Sequence, residues 1–196
     1  MIEMNTADRN AAPDDLELVR RLLNTWRIPH DTRAPSDDLR QLVESSESEW
    51  KRQFETLPRP TDGEQVSRLT QIRDGLRDMV QRNKPNDNDL WWFHKRLSEY
   101  PVVPIVAIAD AGMVVDLRPQ SEETSAAILT IVLRSMQRGT WNRLKACPDC
   151  RLSFYDRSPG ATKVWCGMTT NGPQGRACGS IAKMRTYRKR KSENLN

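Results

Sequence analysis

Over the first 140 residues apolar positions recur at helical spacing, and turn-forming residues separate one run from the next. Leu16, Val19 and Leu23 follow Pro13-Asp14-Asp15 and predict a first helix, with acids at its start and Arg20/Arg21 near its end to suit the dipole. Leu22-Leu23-Asn24-Thr25-Trp26 closes it. Asn24 and Thr25 read as turn or capping residues, and a polar ligand site in the N-terminal domain is the alternative. Ser36-Asp37-Asp38-Leu39 has the form of an N-cap, and Leu39, Leu42, Val43, Trp50, Phe54 and Leu57 predict one long, mostly polar helix that Pro58 and Pro60 stop. Thr61-Asp62-Gly63-Glu64 predicts a capping box of Thr61 with Glu64 ahead of Val66, Leu69, Ile72, Leu76 and Met79/Val80. A loop at 84–89 precedes a short helix opening with the aromatic cluster Leu90-Trp91-Trp92-Phe93-His94, read mainly as packing.

The period then changes. Val102–Ile108 and Met113–Leu117 flank Asp110-Ala111-Gly112 and predict a β-hairpin near 102–117, with Pro104 placing its strand at an edge. Ser121-Glu122-Glu123 caps the most apolar helix. Its positions Ala127, Ile128, Ile131, Val132, Leu133 and Met136 cover more than one stripe, so it should run through the core. The fold class that follows is mainly α with a small β-hairpin.

Composition restricts what the 196 residues can be. A charged fraction of 29% and a mean hydropathy of −0.74 exclude a membrane span, and no apolar run approaches the ~18 residues a spanning helix needs. Met1–Asn5 has neither a basic nor an apolar leader region, so a cytoplasmic protein without a membrane partner is expected. The net charge of +5 is unevenly placed. Residues 138–196 hold thirteen Lys/Arg against Asp149, Asp156 and Glu193, a net +10, while residues 1–137 carry a net −5. An acidic body with a basic C-terminal module points to a polyanionic partner.

All four cysteines lie in that module, as Cys147-Pro148-Asp149-Cys150, Cys166 and Cys178, with the spacing C-x2-C-x15-C-x11-C. Two thiolates three positions apart wrap one ion through a tight turn, and a second pair completes the tetrahedron that Zn²⁺ accepts in closed structural sites. One structural Zn²⁺ on Cys147, Cys150, Cys166 and Cys178 is therefore expected; free or disulfide-bonded cysteines are the alternatives. Arg151–Asp156 reads as a strand that turns at Ser158-Pro159-Gly160 and returns through Thr162–Trp165, with Phe154, Tyr155 and Trp165 as its small core. The last segment, 181–191, is helical and basic. Neither histidine is assigned a role: His30 sits alone in a loop. Asp87 and Asp89 lack the Gly and Glu that would complete a calcium loop. No nucleotide-binding loop, nucleophile elbow or metalloprotease helix is present, and with two widely separated histidines the usual Cys-His nucleophile pairing is hard to assemble, so the chain is not expected to be an enzyme; an activity in the N-terminal domain is the less favoured alternative.

Five ordered sub-motifs of this region resemble the CGNR zinc-finger family: Cys147-x2-Cys150, Phe154-x-Asp156-x-Ser158, Trp165-Cys166-x-Met168, Cys178-Gly179 with Lys183, and the basic Tyr187-Arg188-Lys189-Arg190. Two features depart from the family pattern. The loop between the third and fourth cysteines, 167–177, is enlarged, and Ser180-Ile181 replaces Asn-Arg after Cys-Gly, so that the arginine's part is lost or is taken over by Arg176 or Lys183. Such fingers follow an ABATE domain, a stress-induced transcriptional regulator domain of bacteria. Leu22-Leu23-Asn24-Thr25, Ser36-Asp37-Asp38-Leu39 and the Leu144-x2-Cys147 junction resemble it over residues 13–140.

The resemblance implies a flexible start (1–12), an ABATE-like helical domain (13–140), a zinc module of treble-clef or ribbon type with a basic helix (141–191) and a short tail (192–196). It further implies a bacterial, nucleoid-associated transcription regulator whose N-terminal domain senses a ligand or dimerises. The candidate nucleic-acid contacts are Lys163, Arg176, Lys183, Arg185, Arg188, Lys189, Arg190 and Lys191. DNA is the leading partner. RNA, stacking on Tyr155, Trp165 or Tyr187, and an acidic protein are the alternatives.

Overall fold

The computed structural model describes residues 10–82, 84–110, 112–169 and 177–193. In chain order these form α1 (Leu16–Leu23), β1 (Trp26–Arg27), β2 (Ser36–Asp37), α2 (Leu39–Glu44), α3 (Glu47–Phe54), α4 (Gly63–Arg82), α5 (Asp87–Glu99), β3 (Val102–Ala109), β4 (Gly112–Pro119), α6 (Thr124–Gln137), β5 (Leu144–Ala146), β6 (Ser153–Tyr155) and α7 (Cys178–Glu193), with a 3-10 turn at Trp141–Arg143. The strands pair only as three separate antiparallel couples, β1-β2, β3-β4 and β5-β6, so the architecture is mainly helical with small β elements. Among the described residues no helix is long and apolar enough to cross a membrane.

The core is built by α1, α4 and α6, through Val19, Leu22 and Leu23, through Leu69, Ile72 and Leu76, and through Ile128, Leu129 and Val132, all of them buried. As its apolar pattern predicts, α6 runs through the middle. Of its four buried hydroxyl residues, two satisfy themselves within the helix, Thr130 donating to the Ala126 carbonyl (2.8 Å) and Ser135 to that of Val132 (2.7 Å), and Thr124 donates to the Pro58 carbonyl (2.6 Å).

The single helix expected over 39–57 is two helices. Ser45 leaves helical geometry, and Ser46 caps α3 by accepting from the Glu49 N–H at 3.2 Å; serine favours this role over a helix interior. The break turns Trp50 and Phe54 inward, with ring centroids 4.5 Å apart and the indole N–H donating to the Leu57 carbonyl. The capping box of α4 sits one position later than expected. Asp62, not Thr61, accepts from the Gln65 N–H (2.8 Å), and the Gln65 side chain accepts from the Thr61 N–H (3.2 Å). A true box that the sequence reading passed over, Asn86 with Asp89, starts α5. Helices α4 and α5 approach closely because Gly75 has no side chain: a Cβ there would lie 2.2 Å from the Trp92 ring.

The β3-β4 hairpin pairs Val106 with Val115 and Ile108 with Met113. Arg134 of α6 anchors its base, donating from Nη2 to Asp116 Oδ1 (2.8 Å) and to the Leu117 carbonyl (2.6 Å). Toward its tip, Val106, Ile108, Met113 and Val115 stay exposed.

The strand pairing of the cysteine-bearing region also differs from expectation. β6 pairs with β5, Leu144 opposite Tyr155 and Ala146 opposite Ser153, while residues 162–165 form no strand. The cause is Asp156. Its buried carboxylate accepts from the Lys163 N–H (2.8 Å) and the Ser158 N–H (2.9 Å), so a side chain takes the place of a ladder. Tyr155 faces the other way from the expected small core. Together with Leu144 it joins the core of the helical body, leaving Phe154, Leu152 and Trp165 to pack around the cysteines.

Candidate metal centre and nucleic-acid interface

β5 runs directly into Cys147. The chain then reverses through a knuckle in which the Arg151 N–H donates to the Cys147 carbonyl (2.8 Å) and the Cys147 N–H to the Leu152 carbonyl (2.9 Å). Arg151 takes the left-handed conformation (φ 60°) that this tight reversal requires. Cys166 follows the segment held by Asp156, and Cys178 is the first residue of α7. A second docking brings these two together: the Gly179 N–H donates to the Gly167 carbonyl (3.0 Å), and Ser180 Oγ donates to the Met168 carbonyl (2.5 Å). Gly179 is required here, since a Cβ would meet Met168 Sδ at 2.1 Å and Trp165 Cδ1 at 3.1 Å. Ser180 thus closes the turn.

All four thiols are free and buried. Cys150 Sγ lies 3.5 Å from Cys166 Sγ, which lies 3.8 Å from Cys178 Sγ. A sulfur tetrahedron around a metal with bonds of about 2.3 Å has edges of about 3.8 Å, whereas a disulfide needs about 2.05 Å, so the spacing is that of a metal cage. Cys147 closes the cage with hydrogen-bond contact to the other three thiols.

The protonation energetics agree. Hydrogen bonds from Cys150, Cys166 and Cys178 hold the Cys147 thiol far below its usual range. Cys150 is lowered to about 6: its bond to Cys147 raises it, and those to Cys166 and Cys178 outweigh that. Cys166 and Cys178 are pushed up, first by their bonds to Cys147, then by Cys150 and by burial. Four buried sulfurs this close cannot all carry charge unaided. A divalent cation at their centre supplies the compensating charge.

Residues 143–191 match the family model of the CGNR zinc finger. This segment carries the CGNR claim; the ABATE resemblance of residues 13–140 rests on the sequence signatures alone. No curated protein matches the chain. The zinc-finger match together with the cluster of His30, Cys150, Cys166 and Cys178 fits one structural Zn²⁺.

One donor was missed by sequence reasoning. His30, in the loop between β1 and β2, places Nε2 3.9 Å from Cys178 Sγ although it precedes that cysteine by 148 positions. The ligand atoms of His30, Cys150, Cys166 and Cys178 all lie within 4.8 Å of one another. Nothing in the local sequence signals this, because the spacing of a ligand pair is informative only when one turn or hairpin carries both.

The zinc finger is also fixed to the helical body by polar contacts. Asn24 pairs with Ser153 like an extra strand residue, accepting from its N–H (2.7 Å) and donating to its carbonyl (2.9 Å). Thr25 Oγ1 donates to the Leu22 carbonyl (2.8 Å) and accepts from Arg73 (3.1 Å). Both residues of the candidate N-terminal ligand site are thus committed to the fold, beside a cavity of about 380 Å³ that Arg20, Arg21 and Arg27 also line. Inside the finger, Lys145 donates to Asp156 Oδ2 (2.8 Å) and to the carbonyls of Ala161 and Lys163. Burial raises the Asp156 carboxyl, but the Lys145 ammonium and the donors of Ser158 and Lys163 prevail and hold it at about 2.

Of the candidate nucleic-acid contacts, Lys183, Arg185, Arg188, Lys189, Arg190 and Lys191 all lie on α7, where every residue from 183 to 191 is exposed. Arg185 also pairs with Asp149 of the knuckle at 3.6 Å. Lys163 does not belong with them. It is half-buried, donates to Asn10 Oδ1 (2.9 Å) and sits 4.9 Å over the Phe154 ring, so it is a structural lysine. Arg176 lies outside the described residues, as does most of the enlarged loop. Trp165, Lys183, Thr186, Tyr187 and Arg190 line a shallow cavity of about 370 Å³ on one side of α7. Tyr155, the third aromatic considered for base stacking, is buried in the body.

Proposed function

We propose that this protein is a DNA-binding transcription regulator whose zinc finger is a structural base for α7, the element that enters the duplex. The observation carrying this reading is α7 itself. A helix of sixteen residues spans about 24 Å, and this one shows six cations from Lys183 to Lys191, no acid before Glu193, and, among the described residues, no face covered beyond its first turns. A helix that is polar all round gains little from the body that carries it. The major groove of duplex DNA, about 12 Å wide, admits such a helix, and the surrounding phosphates are its complement in charge. Zinc supplies no reaction here; when bound, it ties the root of α7 to the Cys147 knuckle and hence to the helical body. That body is assigned the part of effector sensor or dimerisation unit.

A second reading, single-stranded RNA, is favoured by one observation: the cavity pairing Trp165 and Tyr187 with Lys183 and Arg190 has the aromatic and cationic groups that stack and neutralise an unpaired nucleotide. Binding of the zinc-loaded chain to duplex DNA and to RNA across a salt series separates the two. The proposal expects tighter binding to duplex DNA and a steep decline with salt. Arg188→Ala/Arg190→Ala should lower the log–log slope by about 2, about 0.9 per phosphate contact removed. An unchanged slope would remove α7 as the contact surface, and a preference for RNA would establish the second reading. Selection of genomic fragments then identifies the cognate sequence.

A further inference from the structure

We propose that His30 is an accessory donor of the zinc site. It hydrogen-bonds from Nε2 to the Cys178 sulfur while the four cysteines hold the metal, and it takes the fourth coordination position when Cys178 is absent. The imidazole is not a stray loop side chain, because the loop carrying it is fixed at several points. At its neck β1 pairs with β2, Trp26 opposite Asp37, and the buried Arg73 grips Asp37 through both carboxylate oxygens at 2.6 and 2.7 Å. At its tip the Ile28 N–H donates to the Cys150 carbonyl (3.3 Å), and Arg33 donates to the Asp149 carbonyl (2.8 Å). The loop is thus bonded to the cysteine knuckle on one side, and it lays His30 Nε2 against Cys178 Sγ on the other.

The chemistry suits both parts of the assignment. A zinc thiolate retains enough charge to accept an N–H, and such bonds from beyond the metal's own ligands tune its affinity. Neutral imidazole is itself a zinc ligand, and Nε2 shares one 4.8 Å cluster with three of the four sulfurs. Cys178 opens α7, so the contact fixes the root of the basic helix to a loop of the helical body. Arg33 of that loop and Arg185 of α7 reinforce the junction, each 3.6 Å from Asp149 Oδ1. His94, exposed on α5, serves as the control histidine.

The test uses the full chain and does not depend on nucleic-acid binding. Zinc transfer from the loaded protein to a chromophoric chelator should be about 10–100-fold faster in His30→Ala than in wild type, as expected for loss of a bond that orients a metal ligand, and unchanged in His94→Ala. In the Co²⁺-loaded protein, Cys178→Ala should keep one bound ion with tetrahedral d–d bands and a weakened sulfur charge-transfer band. Cys178→Ala/His30→Ala should lose that signature. Wild-type transfer rates in His30→Ala, or equal cobalt binding by the single and double variants, overturns the proposal. If Cys178→Ala does not fold, the His30→Ala transfer rate decides alone.

Discussion

Replacing Asp156 with alanine tests how the zinc finger is held together. The carboxylate is fully buried and accepts four hydrogen bonds, from Lys145 Nζ (2.8 Å), Ser158 N–H (2.9 Å), Ser158 Oγ (2.6 Å) and Lys163 N–H (2.8 Å). Its removal leaves the Lys145 ammonium buried with only two carbonyls for company and strips the acceptor from two backbone N–H groups. Breaking a buried ion pair by deleting one partner costs about 3–5 kcal/mol. Lys145 keeps its carbonyl partners, so the lower end, about 3 kcal/mol, applies. Urea unfolding at a fixed free zinc concentration, followed by tryptophan fluorescence, reads this directly. With a slope of about 2 kcal/mol/M the midpoint should fall by about 1.5 M. Lys145→Met/Asp156→Ala should recover part of the loss, since no charge is then stranded, giving a coupling energy of about 2 kcal/mol. A midpoint shift below about 0.5 M, or strict additivity, would refute the claim that this pair organises the 156–163 segment in place of a strand ladder.

Two further outcomes test the body. Gly75→Ala, which in an open helix would gain about 1 kcal/mol, should instead destabilise by about 1–3 kcal/mol because the new Cβ falls 2.2 Å from the Trp92 ring; thermal denaturation in which the variant melts higher than wild type would contradict the close approach of α4 and α5. Asp37→Asn should lose about 1–2 kcal/mol at neutral pH through its weakened bond to Arg73. Hydrogen bonding from Arg73 holds the Asp37 carboxyl below its usual range. Its contribution is therefore complete above the unfolded-state value near pH 4 and is lost as the pH falls below that. Unfolding curves of the two proteins should accordingly converge on acidification, and a gap that stays constant to low pH would rule out the ionised pair as its source.

What the sequence alone determined is local. The 3.6-residue recurrence of apolar positions marked α1, α4 and α6, and the change of period at Val102 marked the hairpin. The C-x2-C spacing marked a metal knuckle, because each of these patterns is realised within a few residues of backbone. Locality also explains the near misses. Ser46 and Asp62 are both competent caps, and a cap is worth only about 1 kcal/mol, so the choice between one helix and two fell to the packing of Trp50, Phe54 and Leu57. The tertiary structure alone decided which distant groups meet. It turned Tyr155 into the helical core and Phe154 toward the cysteines, joined Asn24 to Ser153, set aside Lys163 as a structural lysine, and brought His30 to the sulfur of Cys178. Such contacts depend on how the faces of α1, α4 and α6 bury one another, a sum of many small apolar terms, and no single stretch of the chain carries it.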